Sequence, residues 1–448
     1  MNLPIKLTIT PGRPLRGSYA LPGDKSLSHR SALFAAMVEG ESCIENFLVA
    51  GVTGAMLNAL TELGVDWRLD GNVLRVHGRG LSSWQPPSQA LDCGNSATTL
   101  RLLAGALAAA GIPAVLDGSA GLRRRPMGRI VDPLRQMGVP IEASPSGTAP
   151  LVLRHRPQSQ PLSPLNYTLP VSSAQVKSCL LLGALAANAL TTLREPGPSR
   201  DHTERMLNAM GVVVESRHDD GVYQTRLVPP ARLKLKPLSM ALPGDISAAA
   251  FLIVAALITP GSEVRLCNVG LNPTRTGLLE ALGNMGSQIE IYPKGEQGGE
   301  PTGDLLVRYS TLQATIVSGT MVVQMIDEFP AFALAAAFAR GETRVSEAEE
   351  LRHKESDRIS VLVGELGKLG VQASENLDGF TIQGGVLPSP GQVEAHGDHR
   401  LAMALALAGL AGQGPVTVNG AQIIAESFPE FPTVLLELGA DIQVGPEV

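Results

Sequence analysis

Six times along this chain, a helix-like run closes on a glycine and gives way to a strand-like run. The copies are "LTELGVDW", "LRQMGVPI", "LNAMGVVV", "LGNMGSQI", "LGKLGVQA" and "LLELGADI". Their glycines, Gly64, Gly138, Gly211, Gly286, Gly370 and Gly439, are separated by 74, 73, 75, 84 and 69 residues. Glycine at that place is the left-handed residue that ends a helix before a β-branched run. A second phrase keeps the same beat: a small polar cluster, an Ala/Leu helix, then in most copies glycine and a Thr/Val strand. Its copies are "DKSLSHRSALFAAMVEG", "NSATTLRLLAGALAAAG", "SSAQVKSCLLLGALAAN", "DISAAAFLIVAALITPG", "EFPAFALAAAFARG" and "DHRLAMALALAGLAG". Two helices and several strands thus recur with a period beyond the roughly 20–50 residues of solenoid repeats. Each block is large enough for a βαβ-type unit. Six such blocks predict an α/β fold of two domains, three blocks in each.

The phrase "LPGD" occurs at residues 21–24 and again at 242–245, where the fourth block begins. Pro-Gly after an apolar residue is a chain breaker with turn chemistry. Both copies read as points where the chain passes between domains. The expected division is 22–241 as one domain and 1–21 plus 242–448 as the other. Chance recurrence of a common turn is the alternative, but the helices that follow match as well. Only the first copy continues with a cation: Lys25 stands where the second has Ile246.

Hydrophobic residues make up 44% of the 448 and charged ones 17%, which describes a soluble globular chain with ample core. No stretch reaches the ~18 apolar residues of a membrane span, and "MNLPIKLTIT" has no signal-like apolar region. A cytoplasmic protein is expected. A net charge of −6 argues against bulk attraction to nucleic acid or anionic membrane, so any anion site must be a local cluster. The four cysteines lie far apart with no C-x-x-C pair, which predicts free buried thiols in a reducing compartment and no metal.

Several polar residues do not suit core helices. Arg101 sits inside "TTLRLLAGALAA", and Lys177 follows Gln175 in "SSAQVKSCLLLGALAA". "RRRPMGR" places four arginines within seven residues, and "DHR" puts Arg400 at the front of an apolar helix. "HKESDR" sets Lys354 and Arg358 four apart, which on a helix would put like charges on one face at a cost of a few tenths of a kcal/mol. Glu350 could pair with Lys354, and the arginine run could be a solvated loop. Together, however, cationic or amide-bearing clusters recur near helix starts, where backbone N–H groups already favour anions. Converging there, they would hold a doubly anionic substrate or two phosphorylated ones. "MVVQMIDEFP" adds Asp327 and Glu328 between an apolar strand and helix, Asp327 being either an N-cap or a functional acid. Glu355 lies between two cations and could exchange protons with a substrate. "PGDKS" lacks the spacing of a P-loop, and neither G-x-G-x-x-G after a strand nor G-x-S-x-G occurs, which weakens kinase, redox and esterase readings.

The phrases "LPGDKSLSHR", "GNSATTLR", "RRPMGR", "SSAQVKS", "RDHTERML", "NPTRTG", "MIDEFP", "ELRHKESDR", "GDHRLAMA" and "ESFPEF", in order and nearly end to end, resemble the EPSP synthase family. The resemblance implies two pseudo-symmetric domains joined by two crossover strands. Each would be a ring of three βαβαββ repeats with helices inside, the enolpyruvyl transferase inside-out barrel. It implies transfer of the enolpyruvyl group of phosphoenolpyruvate to the 5-hydroxyl of shikimate 3-phosphate, on the route to chorismate and aromatic amino acids, with no metal or cofactor. It places Lys25, Ser26, Arg30, Ser173, Ala174, Gln175, Arg200, Asp327 and Lys354 around shikimate 3-phosphate. Around phosphoenolpyruvate it places Lys25, Ala97, Arg125, Gln175, Arg358 and Arg400. Asp327 would be the base at the hydroxyl, and Glu355 and Lys25 the proton carriers on the enol side. The partners are these two small molecules, with neither nucleic acid nor membrane, and a monomer is expected.

Two positions depart from much of the family. "GNSAT" has Ala97 where many members have glycine, as in the class II enzymes that tolerate glyphosate. "AESFPEF" has Glu426 where class I members carry a lysine that binds phosphoenolpyruvate. The rivals are the sister transferase acting on UDP-N-acetylglucosamine and a non-catalytic phosphometabolite-binding protein. The sister enzyme carries a loop cysteine that "LDGSAGLRRRPM" lacks. Acids in the pocket speak against a pure anion binder.

Overall fold

The computed structural model describes residues 5–219 and 221–446. All six phrase-closing glycines have positive φ, from 75° at Gly370 to 109° at Gly439. Each stands just past a helix: Gly51–Glu62, Gly128–Gln136, His202–Ala209, Gly277–Asn284, Arg358–Lys368 and Phe431–Glu437. The Ala/Leu phrases form six more: Lys25–Met37, Ala97–Ala110, Ala174–Ala184, Ile246–Ile258, Phe329–Phe338 and His399–Ala411. Beyond the polar residues near their starts these helices are apolar on every face, so they can be satisfied only by burial on every side, and almost all of their residues are buried.

The strands form six four-stranded sheets with a shared order. In the fifth repeat, Ile316–Val317 runs parallel to Gly341–Val345, which pairs antiparallel with Gly379–Gly384, itself antiparallel to Gln372–Asn376. Two sheets take their first strand from far along the chain. Ser239–Ala241, just ahead of the second "LPGD", lies parallel to Glu39–Glu45, with Ser239 opposite Cys43. Arg16–Ala20, just ahead of the first, lies parallel to Glu263–Gly270, with Arg16 opposite Glu263. The last sheet takes Ile5–Thr10 between Val416–Asn419 and Asp441–Pro446.

The chain divides into two compact units. The first is Gly23–Leu242 with the hairpin tip Glu296–Glu300, and the second holds the residues up to Pro22, Pro243–Gly295 and Pro301 onward. Each has its own hydrophobic core and three sheets. In the first unit the buried helices approach so closely that a Cβ on Gly105 would lie 2.3 Å from the Cys179 carbonyl oxygen. Replacing Gly105 with alanine would therefore force the two helices apart, at about 1–3 kcal/mol. Cys93 and Cys179 are buried free thiols, while Cys43 and Cys267 are only half-buried. Among the described residues, no helix is long and apolar enough to cross a membrane.

Candidate active site

In the first unit, three helices begin with a side-chain cap. Asp24 Oδ1 accepts from the Leu27 N–H at 2.8 Å, Ser96 Oγ from the Thr99 N–H at 3.1 Å, and Ser173 Oγ from the Val176 N–H at 3.4 Å. Caps of this kind satisfy orphan N–H groups and fix where the first turn starts. Lys25, Ala97 and Ala174 are the first helical residues. Side chains tie these starts together. Gln175 donates through Nε2 to Thr98 Oγ1 at 2.9 Å and accepts at Oε1 from Arg101 Nη1 at 2.7 Å. Arg101 Nη2 also donates to the Pro126 carbonyl at 3.0 Å, next to buried Arg125. Arg200 Nη1 lies 3.5 Å from Ser26 Oγ.

Arg30 is buried, with Nε on Thr203 Oγ1 at 2.8 Å, Nη2 on Ser178 Oγ at 2.8 Å and Nη1 on the Ser26 carbonyl at 3.0 Å. Burial brings its pKa down to about 10, opposed by Glu204 and Asp24. Of the candidates named from the sequence, Lys25, Ser26, Arg30, Ala97, Arg125, Ser173, Ala174, Gln175 and Arg200 belong to this unit.

In the second unit, one carboxylate gathers the cations. Asp327 Oδ1 is 3.4 Å from Lys354 Nζ and 3.5 Å from Arg358 Nη1, while its Oδ2 is 3.7 Å from Arg400 Nη2. Arg400 Nη1 also donates to the Asp327 carbonyl at 3.1 Å. Arg358 Nη2 reaches Glu355 Oε2 at 2.6 Å, and its Nε donates to Asp398 Oδ2 at 2.8 Å. Burial works against the Arg358 charge, but Asp398, Glu355 and Asp327 outweigh it and hold the guanidinium well above its ordinary pKa. Asp327, Lys354, Glu355, Arg358 and Arg400 are thus assembled into one cluster.

Asp398 was not singled out from the sequence. Fully buried, it accepts from the Arg400 N–H at 2.9 Å and from Ser356 Oγ at 3.2 Å while pairing with Arg358. An acid ahead of an apolar helix signals a cap. Nothing in the local sequence signals its second partner, 40 residues earlier.

Several expectations are corrected. Lys354 and Arg358 do not share a helical face: Lys354 follows the short turn Glu349–His353, and Asp357 caps a helix that begins at Arg358. Asp327 is not an N-cap, because Glu328 holds that place before Phe329–Phe338. Lys177 is not presented to a ligand. It is buried between Glu195, at 2.7 Å, and Glu204, at 2.8 Å, and although burial opposes its charge, the two carboxylates raise its pKa. The arginine run is split: Arg123 pairs with Asp117 at the surface and Arg124 is exposed, whereas Arg125 is buried. Glu426 ends the turn Ala421–Glu426. Among the described residues, Asp201, His202 and Glu300 form one group with the side-chain types of a metal site. His202 Nδ1 and Glu300 Oε1 lie 2.7 Å apart, and that hydrogen bond accounts for their closeness.

The family model for EPSP synthase (3-phosphoshikimate 1-carboxyvinyltransferase) matches residues 9–435. The chain is 45% identical over 441 residues to the 3-phosphoshikimate 1-carboxyvinyltransferase of Acidithiobacillus ferrooxidans, covering 97% of this chain and 98% of that protein. To the Xanthomonas euvesicatoria protein of the same name it is 48% identical over 433 residues, 96% of each. A solved EPSP synthase from Acinetobacter baumannii superposes with a TM-score of 0.86 at 40% identity, covering 98% of this chain and all of that one. The enolpyruvyl transferase NikO from Streptomyces tendae shares the fold, at TM-score 0.79 and 20% identity over the whole of both chains. The chain belongs to the EPSP synthase (3-phosphoshikimate 1-carboxyvinyltransferase) family.

Proposed function

We propose that this chain transfers the enolpyruvyl group of phosphoenolpyruvate to the 5-hydroxyl of shikimate 3-phosphate and releases phosphate, acting as a cytoplasmic monomer. The observation that carries this is 45% identity along 97% of the chain to a protein named for the reaction. The capped helix starts of the first unit and the cation cluster around Asp327 in the second are chemically suited to it. The residues proposed to hold shikimate 3-phosphate are Lys25, Ser26, Arg30, Ser173, Ala174, Gln175, Arg200, Asp327 and Lys354. Phosphoenolpyruvate would meet Lys25, Ala97, Arg125, Gln175, Arg358 and Arg400.

The chemistry is an addition followed by an elimination. A proton goes to the methylene carbon of phosphoenolpyruvate while the 5-hydroxyl oxygen bonds to C2, giving a tetrahedral intermediate. Removal of a proton from the new methyl group then restores the double bond as the C–O bond to phosphate breaks. Asp327 would accept the hydroxyl proton. In the structure its oxygens are shared among Lys354, Arg358 and Arg400. An anionic substrate drawing those cations away would leave an oxygen available for that proton. Glu355, hydrogen-bonded to Arg358, and Lys25 would carry the proton on the enol side. Fixed cations facing developing negative charge form a preorganised electrostatic contribution, often about 3 kcal/mol or more.

A phosphate-release assay with both substrates tests the proposal. Turnover is expected with shikimate 3-phosphate as acceptor. Turnover only with UDP-N-acetylglucosamine, or with neither acceptor, would overturn it.

A further inference from the structure

We propose that His29 is a positioning residue whose imidazole bridges the helix start carrying Lys25 to the helix start carrying Ala97. By doing so it sets how closely phosphoenolpyruvate and larger analogues fit beside residue 97. This rests on the transferase function proposed above. His29 Nδ1 lies 2.7 Å from the Lys25 carbonyl oxygen, and Nε2 lies 3.2 Å from Ser96 Oγ. A carbonyl can only accept, and the contact to Lys25 is short at 2.7 Å, which favours the hydrogen on Nδ1 over Nε2, although Val52 offers a second carbonyl to the ring. The opposite tautomer would set two lone pairs against each other at hydrogen-bonding distance.

A bare Nε2 then accepts a hydrogen bond from the Ser96 hydroxyl. Ser96 Oγ in turn accepts from the Thr99 N–H at 3.1 Å and from Thr99 Oγ1 at 2.9 Å. With the hydrogen on Nδ1, donation runs one way: Thr99 to Ser96 to His29 to the Lys25 carbonyl. The ring is buried and neutral, its pKa lowered to about 4 by burial, with Lys25 and Arg30 adding repulsion against backbone acceptors at Lys25 and Val52.

Packing alone does not require this histidine. The matching helix after the second "LPGD" carries Ala250 at the equivalent place, fully buried. The imidazole supplies a link between two backbone segments that an apolar residue cannot make. Ser96 immediately precedes Ala97, so a fixed Ser96 fixes the residue 97 backbone relative to Lys25.

The test combines a spectroscopic and a kinetic measurement. With 15N-labelled imidazoles at neutral pH, His29 is expected as the Nδ1–H tautomer, and an Nε2–H tautomer overturns the bridge. His29→Asn keeps a donor near the Lys25 carbonyl but is too short to reach Ser96. It is expected to raise KM for phosphoenolpyruvate about tenfold while KM for shikimate 3-phosphate stays within about twofold. Ser96→Ala is expected to do the same, with the double variant no worse than either single one. A parallel rise of both KM values, or additive losses, overturns the role. Ser96→Ala leaves the ring in place, so the test stands even if His29→Asn does not fold. Turnover of the unaltered protein is measured first. Its absence overturns the proposed reaction, whereas normal turnover with unselective variants overturns only the part given to His29.

Discussion

The two "LPGD" turns open helices of equal length, Lys25–Met37 and Ile246–Ile258, through the same device. An aspartate caps each: Asp24 accepts from the Leu27 N–H at 2.8 Å and Asp245 from the Ser247 N–H at 2.8 Å. The preceding glycine lies against an asparagine carbonyl in both. A Cβ on Gly23 would be 1.7 Å from the Asn46 oxygen, and one on Gly244 would be 3.1 Å from that of Asn268. Both asparagines take left-handed backbone, with φ of 54° and 55°. What differs is the cargo. Lys25, His29 and Arg30 in one helix stand where Ile246, Ala250 and Phe251 stand in the other.

The serine two places after each cap differs in the same way. Ser247 accepts from Arg275 at 2.8 Å and donates to Glu328, closing a buried network in which Arg275 also meets Asp245 at 3.1 Å. Ser26 meets the half-buried Arg200 only at 3.5 Å. In one copy the serine, the arginine and the acids around them are all buried; in the other, Ser26 and Arg200 are only partly buried. The two copies share a scaffold and differ in the side chains that the proposed function would use.

Exchanging the cargo is the strongest way to break this comparison. Lys25→Ile gives the first helix the residue of the second, and a roughly 10²–10³-fold loss of turnover is expected from removing a charge at the proposed reacting centre. Thermal stability should not fall, since the scaffold accommodates isoleucine in its own twin. Phosphate release and a melting curve on the same preparation check both halves, and retained turnover would mean that Lys25 is not the functional difference. In the reverse direction, Ile246 is 1% exposed within an apolar helix. Ile246→Lys buries a cation there and should destabilise the protein by roughly 3 kcal/mol or more in urea unfolding. A loss under about 1 kcal/mol would show that the second copy has room for a cation and that packing does not exclude it.

The scaffold was the more legible part of the molecule. Left-handed glycines and all-apolar helices are local signals, because helix closure and burial on all sides each demand particular residue types within a few positions. The "LPGD" turns marked where the chain crosses between the first and fourth repeats, but not which strands pair there, since a strand of three to five residues pairs by long-range register. In the candidate site, Asp327, Lys354, Glu355, Arg358 and Arg400 stood out as charges beside apolar runs, and they do cluster. Lys177 stood out equally but belongs to an internal ion triad, because a cation in a helix reads the same whether it meets a substrate or Glu195 and Glu204. Asp398 and the Arg101–Gln175 bond were illegible, since each depends on partners brought together only by the fold.

Acid sharpens the comparison through His29, which has no ionisable counterpart in the twin helix. Its pKa in the folded protein is lowered from 6.5 to about 4 by burial, with Lys25 and Arg30 nearby. Below about pH 6.5 the unfolded chain takes up this proton and the folded one does not, so stability rises with pH across that window. Equivalently, stability falls as pH drops from about 6.5 to 4 and this contribution changes no further below that. The full effect is roughly 3 kcal/mol at 1.36 kcal/mol per pH unit. Urea unfolding from pH 7 to pH 4 should show a shallower decline in His29→Asn than in the unaltered chain. Equal slopes would mean that the histidine is charged in the folded state.

The smallest expected effect concerns one methyl group. Ala97 is the first residue of its helix, 3% exposed, and its position is set by the Ser96 cap. If phosphoenolpyruvate sits beside residue 97 as proposed, the Ala97 Cβ would take one carbon's worth of the space that glyphosate would need there. A single methyl changes discrimination in a fitted pocket by about 1–3 kcal/mol, or roughly 10–200-fold. Ala97→Gly should therefore lower the glyphosate concentration for half-inhibition at least about tenfold. KM for phosphoenolpyruvate, the smaller ligand, should move less. Glycine at this helix start also costs up to about 1 kcal/mol of stability relative to alanine, so inhibition is compared at a temperature where both proteins are fully folded. If the unaltered chain is already strongly inhibited with phosphoenolpyruvate near its KM, the methyl does not occupy the space that matters, and tolerance cannot be assigned to position 97.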